Sequence, residues 1–249
     1  MYLVTVVIPF FNAHSTIGRT LKSIFSQAGL TEGSIEVIVV DDCSTIPLGR
    51  NISIINSALR IITLPVNKGA AYARNKGIEE AKGRFVAFCD SDDYWQPNKL
   101  SIQLDFMMKN DSYFTYTSYY KYFATIDRKV LVEAPVRQSY DDLIRSCSIG
   151  CSTVVIDREK LNEELKMPNI RRRQDYATWL YLTKKYGPAL GLKEPFTFYT
   201  ISKGSISRNK LVAARQHYQV LASFETNTLK RLFYFSFYLI KGLNKYLKY

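Results

Sequence analysis

Residues 84–95 read RFVAFCDSDDYW, and the reading of this stretch decides the fold. Phe85 to Cys89 is a continuous apolar run without polar alternation, the pattern of a strand covered on both faces. It stops at three carboxylates within four positions, Asp90, Asp92 and Asp93. Burying an ion at a strand end costs several kcal/mol unless a positive partner compensates it. The cluster therefore asks for a cation, and the rest of the chain has to explain why one would be there.

Working outward, the segments on the N-terminal side alternate between strand and helix. LVTVVIP reads as a first buried strand, STIGRTLKSIFSQ as a helix capped by Ser15, IEVIVVDD as a second strand and LRIITLP as a third. KGAAYARNKGIEEAKG is an Ala-rich helix with Gly83 expected at its C-terminal end. Unalternating strands separated by helices predict a parallel, doubly wound sheet. Ligands of such sheets bind at the carboxyl ends of the strands. Asp41 and Asp42 end the second strand and Asp90, Asp92 and Asp93 the fourth, so both acidic clusters are expected to face one crevice.

On the C-terminal side, NKLSIQLDFMMKN predicts a helix, and SYFTYTSYYKYFATIDRKVLVE, dense in Tyr, Phe and Thr, predicts antiparallel strands. SYDDLIRS follows, then CSTVVID as a strand, a helix from Gln174 to Tyr186 closed by Gly187, and PFTFYTIS as a last strand. No internal repeat or low-complexity linker interrupts this order.

With 249 residues, 47% hydrophobic and 22% charged, the composition is that of a globular chain able to bury a sizeable core. The formal net charge of +12 favours anionic partners: phosphorylated substrates, an anionic membrane face or nucleic acid. Cys43, Cys89, Cys147 and Cys151 form no C-x-x-C pair, which argues for free thiols in a reducing compartment and against a zinc site. MYLVTVVIPFF lacks a basic leading region and reads as a strand rather than a signal peptide, so the expected location is cytoplasmic. His14 and His217 have no evident partner.

Five segments in order, VTVVIPFFNAHSTIGRTLKSIFSQ, VVDDCST, NKGAAYARNKGIEEAKG, FVAFCDSDD and RRRQDYATWL, resemble the successive signatures of family 2 glycosyltransferases over residues 3–205. The resemblance implies a GT-A (Rossmann-like) α/β fold, a mostly parallel sheet flanked by helices. It also implies a nucleotide-sugar donor, usually a UDP-sugar, in the crevice located above. On that likeness Pro9 and Asn12 wrap the nucleotide, Asp41 or Asp42 recognises its base, and Arg74 holds base or phosphate. An ion pair with Glu79 or Glu80 is the competing role for Arg74. Asp90 and Asp92 match the D-x-D motif with Ser91 between them in the donor site, Asp90 near the ribose and Asp92 on a divalent ion, Mn²⁺ or Mg²⁺. Such ions suit hard oxygen ligands and neutralise a leaving diphosphate. Asp93 is as readily structural. Asp175 matches the base that deprotonates the acceptor for inversion at the anomeric carbon, although Asp also suits a helix cap. The family usually has Glu-Asp where this chain has Gln174-Asp175. Arg171, Arg172 and Arg173 are candidates for an acceptor carried on a lipid diphosphate, because guanidinium groups suit phosphate.

From Thr226 to Tyr249 the chain has no acidic residue. On a helical wheel Lys230, Tyr234, Tyr238, Lys241, Lys245 and Lys248 share one face, and Leu229, Leu232, Phe233, Ile240, Leu243 and Leu247 the other. Such an amphipathic tail is too short in apolar sequence to span a bilayer and suits the interface of an anionic membrane. The alternative is packing on the catalytic body. The expected organisation is a catalytic domain over 1–205, with a nucleotide-sugar half at 1–110 and an acceptor half at 111–205, and a helical membrane-associating extension over 206–249. The function expected is an inverting transfer of glucose or galactose to a lipid-linked saccharide in surface polysaccharide synthesis such as O-antigen or capsule, without nucleic acid. Two rivals are a nucleotidyltransferase and a non-catalytic nucleic-acid or membrane-binding module. The first would need a Gly-rich basic loop where FFNAHSTIG stands, and the second, whose bases could stack on the aromatics of Tyr113–Phe123, has no use for aspartates at two strand ends.

Overall fold

A computed structural model describes residues 2–50, 56–201 and 210–247, with the backbone alone at 50, 210, 211 and 241–247. The N-terminal half runs β1 (Val4–Phe10), α1 (His14–Phe25), β2 (Ile35–Asp41), β3 (Leu59–Thr63), α2 (Ala70–Glu80) and β4 (Phe85–Phe88). The continuous apolar runs become parallel strands: β1 pairs in parallel with β2 and β4, and β2 with β3. A short β5 (Tyr94–Trp95), α3 (Lys99–Lys109), β6 (Phe114–Phe123), β7 (Arg128–Val132), β8 (Arg137–Gln138) and α4 (Tyr140–Arg145) follow. After them come β9 (Val155–Asp157), α5 (Gln174–Tyr186), β10 (Ala189–Ile201), α6 (Lys210–Phe224) and α7 (Thr228–Leu247).

One sheet runs β3-β2-β1-β4-β9-β6-β10-β5, with β7 on β6 and β8 on β10. Its centre is mostly parallel, including the long β6–β10 pair. Antiparallel β9 is wedged between β4 and β6, and β5, β7 and β8 add antiparallel margins. Helices cover both faces. Val4, Val6 and Ile8 of β1 pack with Ile17, Leu21 and Ile24 of α1 and Leu100 and Leu104 of α3, while Val7, Val86 and Phe88 pack with Ile78 of α2 and Trp179 of α5. The strand order reverses at β1, with α1 on one face of the sheet and α2 on the other, and this is where an open α/β sheet leaves a ligand crevice.

Three local expectations are corrected. Helix α1 begins at His14 with Ala13 at the cap position and no side-chain cap bond, so Ser15 lies inside the helix. The turn is set from outside: Asn12 sits at φ 51° and its amide donates to Ser44 Oγ at 2.9 Å. Gly83 is not a helix stop, since α2 ends at Glu80 with Ala81 as its cap. A Cβ at Gly83 would lie 2.6 Å from the backbone nitrogen of Thr5, so glycine is needed there for close approach to β1. In CSTVVID, residues Cys151–Thr153 form a 3₁₀ turn and only Val155–Asp157 is strand. Gly187, at φ 95°, does close α5.

The tail forms α7, and the tyrosines of its expected polar face turn toward the body, while Lys230 is exposed. Tyr234 and Phe235 pack against the core, and Tyr238 stacks on the buried His217 of α6 at 4.2 Å. Leu229, Phe233, Phe237 and Ile240, spaced three or four residues apart, stay exposed, as does Leu232 beside them. Lys241, Lys245, Lys248, Leu243 and Leu247 lie outside the residues whose side chains are described. Among the described residues no helix is long and apolar enough to cross a membrane.

Candidate active site

The carboxyl ends of β1, β2 and β4 carry the acidic clusters, and the structure gives each aspartate a different environment. Asp41 is fully buried and accepts the amides of Ser44 and Leu48, both at 2.9 Å. Asp42 is 3% exposed and takes the amides of Lys68 at 2.8 Å and Gly69 at 2.7 Å. Both carboxylates therefore shape loops, Asp41 its own and Asp42 the one that leads into α2. Asn12 Oδ1 accepts the amide of Thr45 at 2.9 Å, tying the β1 and β2 loops together, and half-buried Pro9 lies opposite Val40 in the parallel register.

Beyond β4, Asp93 is fully buried, accepting Ser152 Oγ at 2.5 Å and the Thr200 amide at 2.9 Å. Burial, then the charges of Asp90 and Asp92, push its pKa well up. It is a structural pin joining β4, the 3₁₀ turn and β10. Ser152 also receives the Asp90 amide at 3.0 Å, so one hydroxyl orders the whole acidic loop. Thr20 of α1 donates to the carbonyls of Ser91 at 3.0 Å and Asp93 at 2.7 Å. Arg19 donates to the Asp92 carbonyl at 2.9 Å and lies over the Tyr94 ring at 4.4 Å. None of Arg19, Thr20, Ser152 and Thr200 carries a sequence signal, because each acts across a large separation.

Asp92 keeps its side chain half-buried. Burial, and then the charge of Asp90, push its pKa up to about 6. This is an acid short of positive partners. Among the described residues no group of three or more His, Cys, Asp and Glu side chains is placed to hold a metal ion. A divalent ion here would take its other ligands from phosphate and water, which suits Mg²⁺ and Mn²⁺, and the hard oxygen of Asp92 fits that role.

Arg74 is buried at 4% exposure, and its Nη2 meets Asp90 Oδ1 at 2.5 Å. The ion pair with Glu79 or Glu80 does not form: Lys76 pairs with both, and Arg60 with Glu80. Burial opposes the charge on Arg74, but the neighbouring Cys151, Asp90 and Asp175 outweigh it and raise its pKa. Its Nε and Nη1 are buried without a hydrogen-bond partner. Asp90, Arg74 and Asp175, separated by up to a hundred residues, thus share one electrostatic neighbourhood.

Asp175 sits in the first turn of α5, with Arg173, not Asp175, at the cap position in a left-handed backbone at φ 63°. Among the described residues, its carboxylate accepts the amide of the next residue, Tyr176, at 2.8 Å. Gln174 is 8% exposed, a depth at which a glutamate would bury an unpaired charge. The three arginines separate. Arg173 reaches Tyr238 of α7 at 3.4 Å, Arg172 Nη1 is buried without a hydrogen-bond partner, and Arg171 is exposed.

Comparison with known proteins shows the family and the fold. The chain is 41% identical over 229 residues to the putative teichuronic acid biosynthesis glycosyltransferase TuaG of Bacillus subtilis, covering 90% of this chain and 88% of that one. It is 35% identical over 250 residues to the Escherichia coli UDP-Glc:α-D-GlcNAc-diphosphoundecaprenol β-1,3-glucosyltransferase WfgD, covering 98% and 95%. Among solved structures, S. aureus TarS 1-349 in complex with UDP-GlcNAc superposes with a TM-score of 0.70 at 21% identity, over 88% of this chain and 64% of that one. The mannosyltransferase PcManGT of Pyrobaculum calidifontis in complex with GDP-Man and Mn²⁺ gives 0.66 at 19%, over 90% and 64%. This chain thus spans slightly under two thirds of those solved chains and most of the length of these two curated relatives. The pattern of glycosyl transferase family 2 matches residues 5–178, which hold every aspartate of the crevice, Arg74 and Asp175, and the chain belongs to that family.

Proposed function

We propose that this glycosyltransferase moves glucose or galactose, with inversion, from a UDP-sugar to a lipid-diphosphate-linked saccharide in the building of a bacterial surface polysaccharide. The observation that supports the reading is the buried ion pair of Arg74 Nη2 with Asp90 Oδ1 at 2.5 Å, with Asp175 among the charges that act on the same guanidinium. The relatives with this chemistry in their names are similar over nearly the whole chain, which supports the donor and acceptor classes.

In this reading Pro9, Asn12 and the loop held by Asp42 cradle the nucleotide, and Asp90, Ser91 and Arg74 border the ribose and diphosphate. Asp92 would hold Mn²⁺ or Mg²⁺, which when bound offsets the charge developing on the departing diphosphate. Asp175 takes the proton from the acceptor hydroxyl as its oxygen attacks the anomeric carbon from the face opposite the leaving group. Arg171 and Arg172 supply positive charge where the acceptor's diphosphate would approach. The exposed apolar stripe of α7, on a chain of net charge +12, suits peripheral attachment to the anionic inner face of the cell membrane.

The test is transfer from UDP-glucose and UDP-galactose to a GlcNAc-diphospholipid, with and without divalent metal, in the native chain, Asp92→Ala and Asp175→Ala. Metal-dependent transfer with an inverted product is expected. Asp175→Ala should lose about 10²- to 10⁴-fold in kcat while still binding donor. Full transfer by Asp175→Ala, or a retained anomeric configuration, overturns the mechanism.

A further inference from the structure

A cavity of about 650 Å³ lies away from the aspartates, between residues 161–172, α5 and α6. Its size falls within the roughly 300–1,000 Å³ of small-molecule sites. Leu165, Met167, Ala177, Leu182, Val220 and Phe224 give it apolar walls. Arg171 and Arg172, directly before the helix that carries Asp175, also line it. Two buried polar atoms of the lining, Arg172 Nη1 and Gln216 Oε1, have no hydrogen-bond partner. The side chains of Arg171 and Arg172 put positive charge in the lining of an otherwise largely apolar chamber, a combination that suits a ligand with an apolar body and an anionic end.

We propose that this cavity receives the first part of the acceptor's lipid chain, with Arg172 meeting the diphosphate at its polar end. The inference rests on the lipid-diphosphate acceptor proposed above and names the part of the protein that grips it. Charge complementarity favours this occupant: Lys166, Arg171 and Arg172 outnumber Glu163 and Glu164 in the lining, and Glu163 is paired with Lys185. A neutral lipid would leave the arginines without an anion, and a free phosphate would leave the apolar walls empty, whereas a lipid diphosphate meets both. The position fits as well, since a diphosphate held by residues preceding α5 puts the attached sugar near the first turn of that helix, where Asp175 sits.

The experiment compares GlcNAc-diphosphate esters bearing methyl, hexyl and dodecyl chains, all below their micelle concentrations. The native enzyme is expected to show a KM that falls by up to about fourfold per buried methylene over the first part of the series. Ser223→Trp and Gln219→Trp fill the cavity from exposed positions of α6, so one stands in should the other misfold, with folding checked by thermal melting. Collapse of the methyl-to-dodecyl KM ratio in these variants supports the proposal. A ratio that survives both substitutions overturns it, as does a native enzyme indifferent to chain length, and in those cases the acceptor reading stands. A ratio lost instead in Phe233→Gln moves the lipid contact to α7 and also overturns it. If no diphosphate ester is used at all, the acceptor reading itself falls and the cavity assignment with it.

Discussion

Removing the positive charge of Arg74 should unsettle the site in a way that can be partitioned. Its side chain is 5% exposed and that of Asp90 29%, with 2.5 Å between them. Breaking a buried pair by removing one partner costs about 3–5 kcal/mol, and the partial exposure of Asp90 screens the loss toward about 2–3 kcal/mol. A chain of this size loses about 2–4 °C per kcal/mol, so Arg74→Met should melt about 5–10 °C lower. Asp90→Asn should cost a similar amount by leaving the guanidinium uncompensated. The double variant removes both charges, so its loss should fall short of the sum by about 2 kcal/mol. The assay is denaturant unfolding of the four proteins at pH 7.5 without divalent metal. Lys76→Met, which breaks only solvent-exposed pairs with Glu79 and Glu80, serves as the control and should stay within about 0.5 kcal/mol. If the Arg74 and Asp90 losses add to within about 0.5 kcal/mol, the two groups are not energetically paired and the site as drawn is wrong.

Two other perturbations probe the C-terminal helices. His217 is buried between Tyr176 and Tyr238, and burial, then Arg173, push its pKa down to about 3. A histidine lowered on folding binds fewer protons in the native state than unfolded between its two pKa values, so stability is lost as pH falls from about 6.5 toward 3. At pH 5 that amounts to about 2 kcal/mol, and His217→Phe should abolish this part of the slope when its unfolding is compared with the native chain; identical slopes refute the assignment. On the opposite face of α7, Leu232→Gln and Phe233→Gln alter side chains that are 50% and 56% exposed, so stability should change by no more than about 0.5 kcal/mol. Each should weaken sedimentation with anionic vesicles about tenfold or more, and unchanged sedimentation removes the membrane role from this stripe.

What could be read from the sequence follows from the range over which each residue acts. The runs VTVVIPF, IEVIVVD and FVAF signal doubly covered strands by composition alone, and their spacing by helices fixes a parallel centre. The D-x-D aspartates and Asp175 were visible as candidates because their neighbours in the chain form the motif. Helix spacing favours Lys76 over Arg74 as the partner of Glu79 and Glu80, but nothing local announces that Arg74 faces inward to Asp90. Ser152 was hidden in an apolar run that reads as strand, and its turn exists because Asp93 and the Asp90 amide require a hydroxyl there. Ser15 failed as a cap because contacts with the loop after β2 place the turn earlier, with Ala13 at the cap position.

The packing of α7 also changes how its attachment must be tested. Removing residues 226–249 would take away the apolar stripe, but with it Tyr234, Phe235 and Tyr238, which cover α4, α6 and the cap of α5. Tyr238 holds Arg173, two residues before Asp175, and His217 stacks on Tyr176, one residue after it, at 5.0 Å. The backbone that carries the base candidate is therefore gripped on both sides by the C-terminal helices. A truncated chain that lost activity would not separate membrane release from a displaced Asp175, whereas substitutions on the exposed face leave that grip in place. The same geometry makes α7 two-sided, with Tyr234, Phe235 and Tyr238 turned toward the body and the residues around Asp175, and Leu229, Leu232, Phe233, Phe237 and Ile240 exposed on the other face.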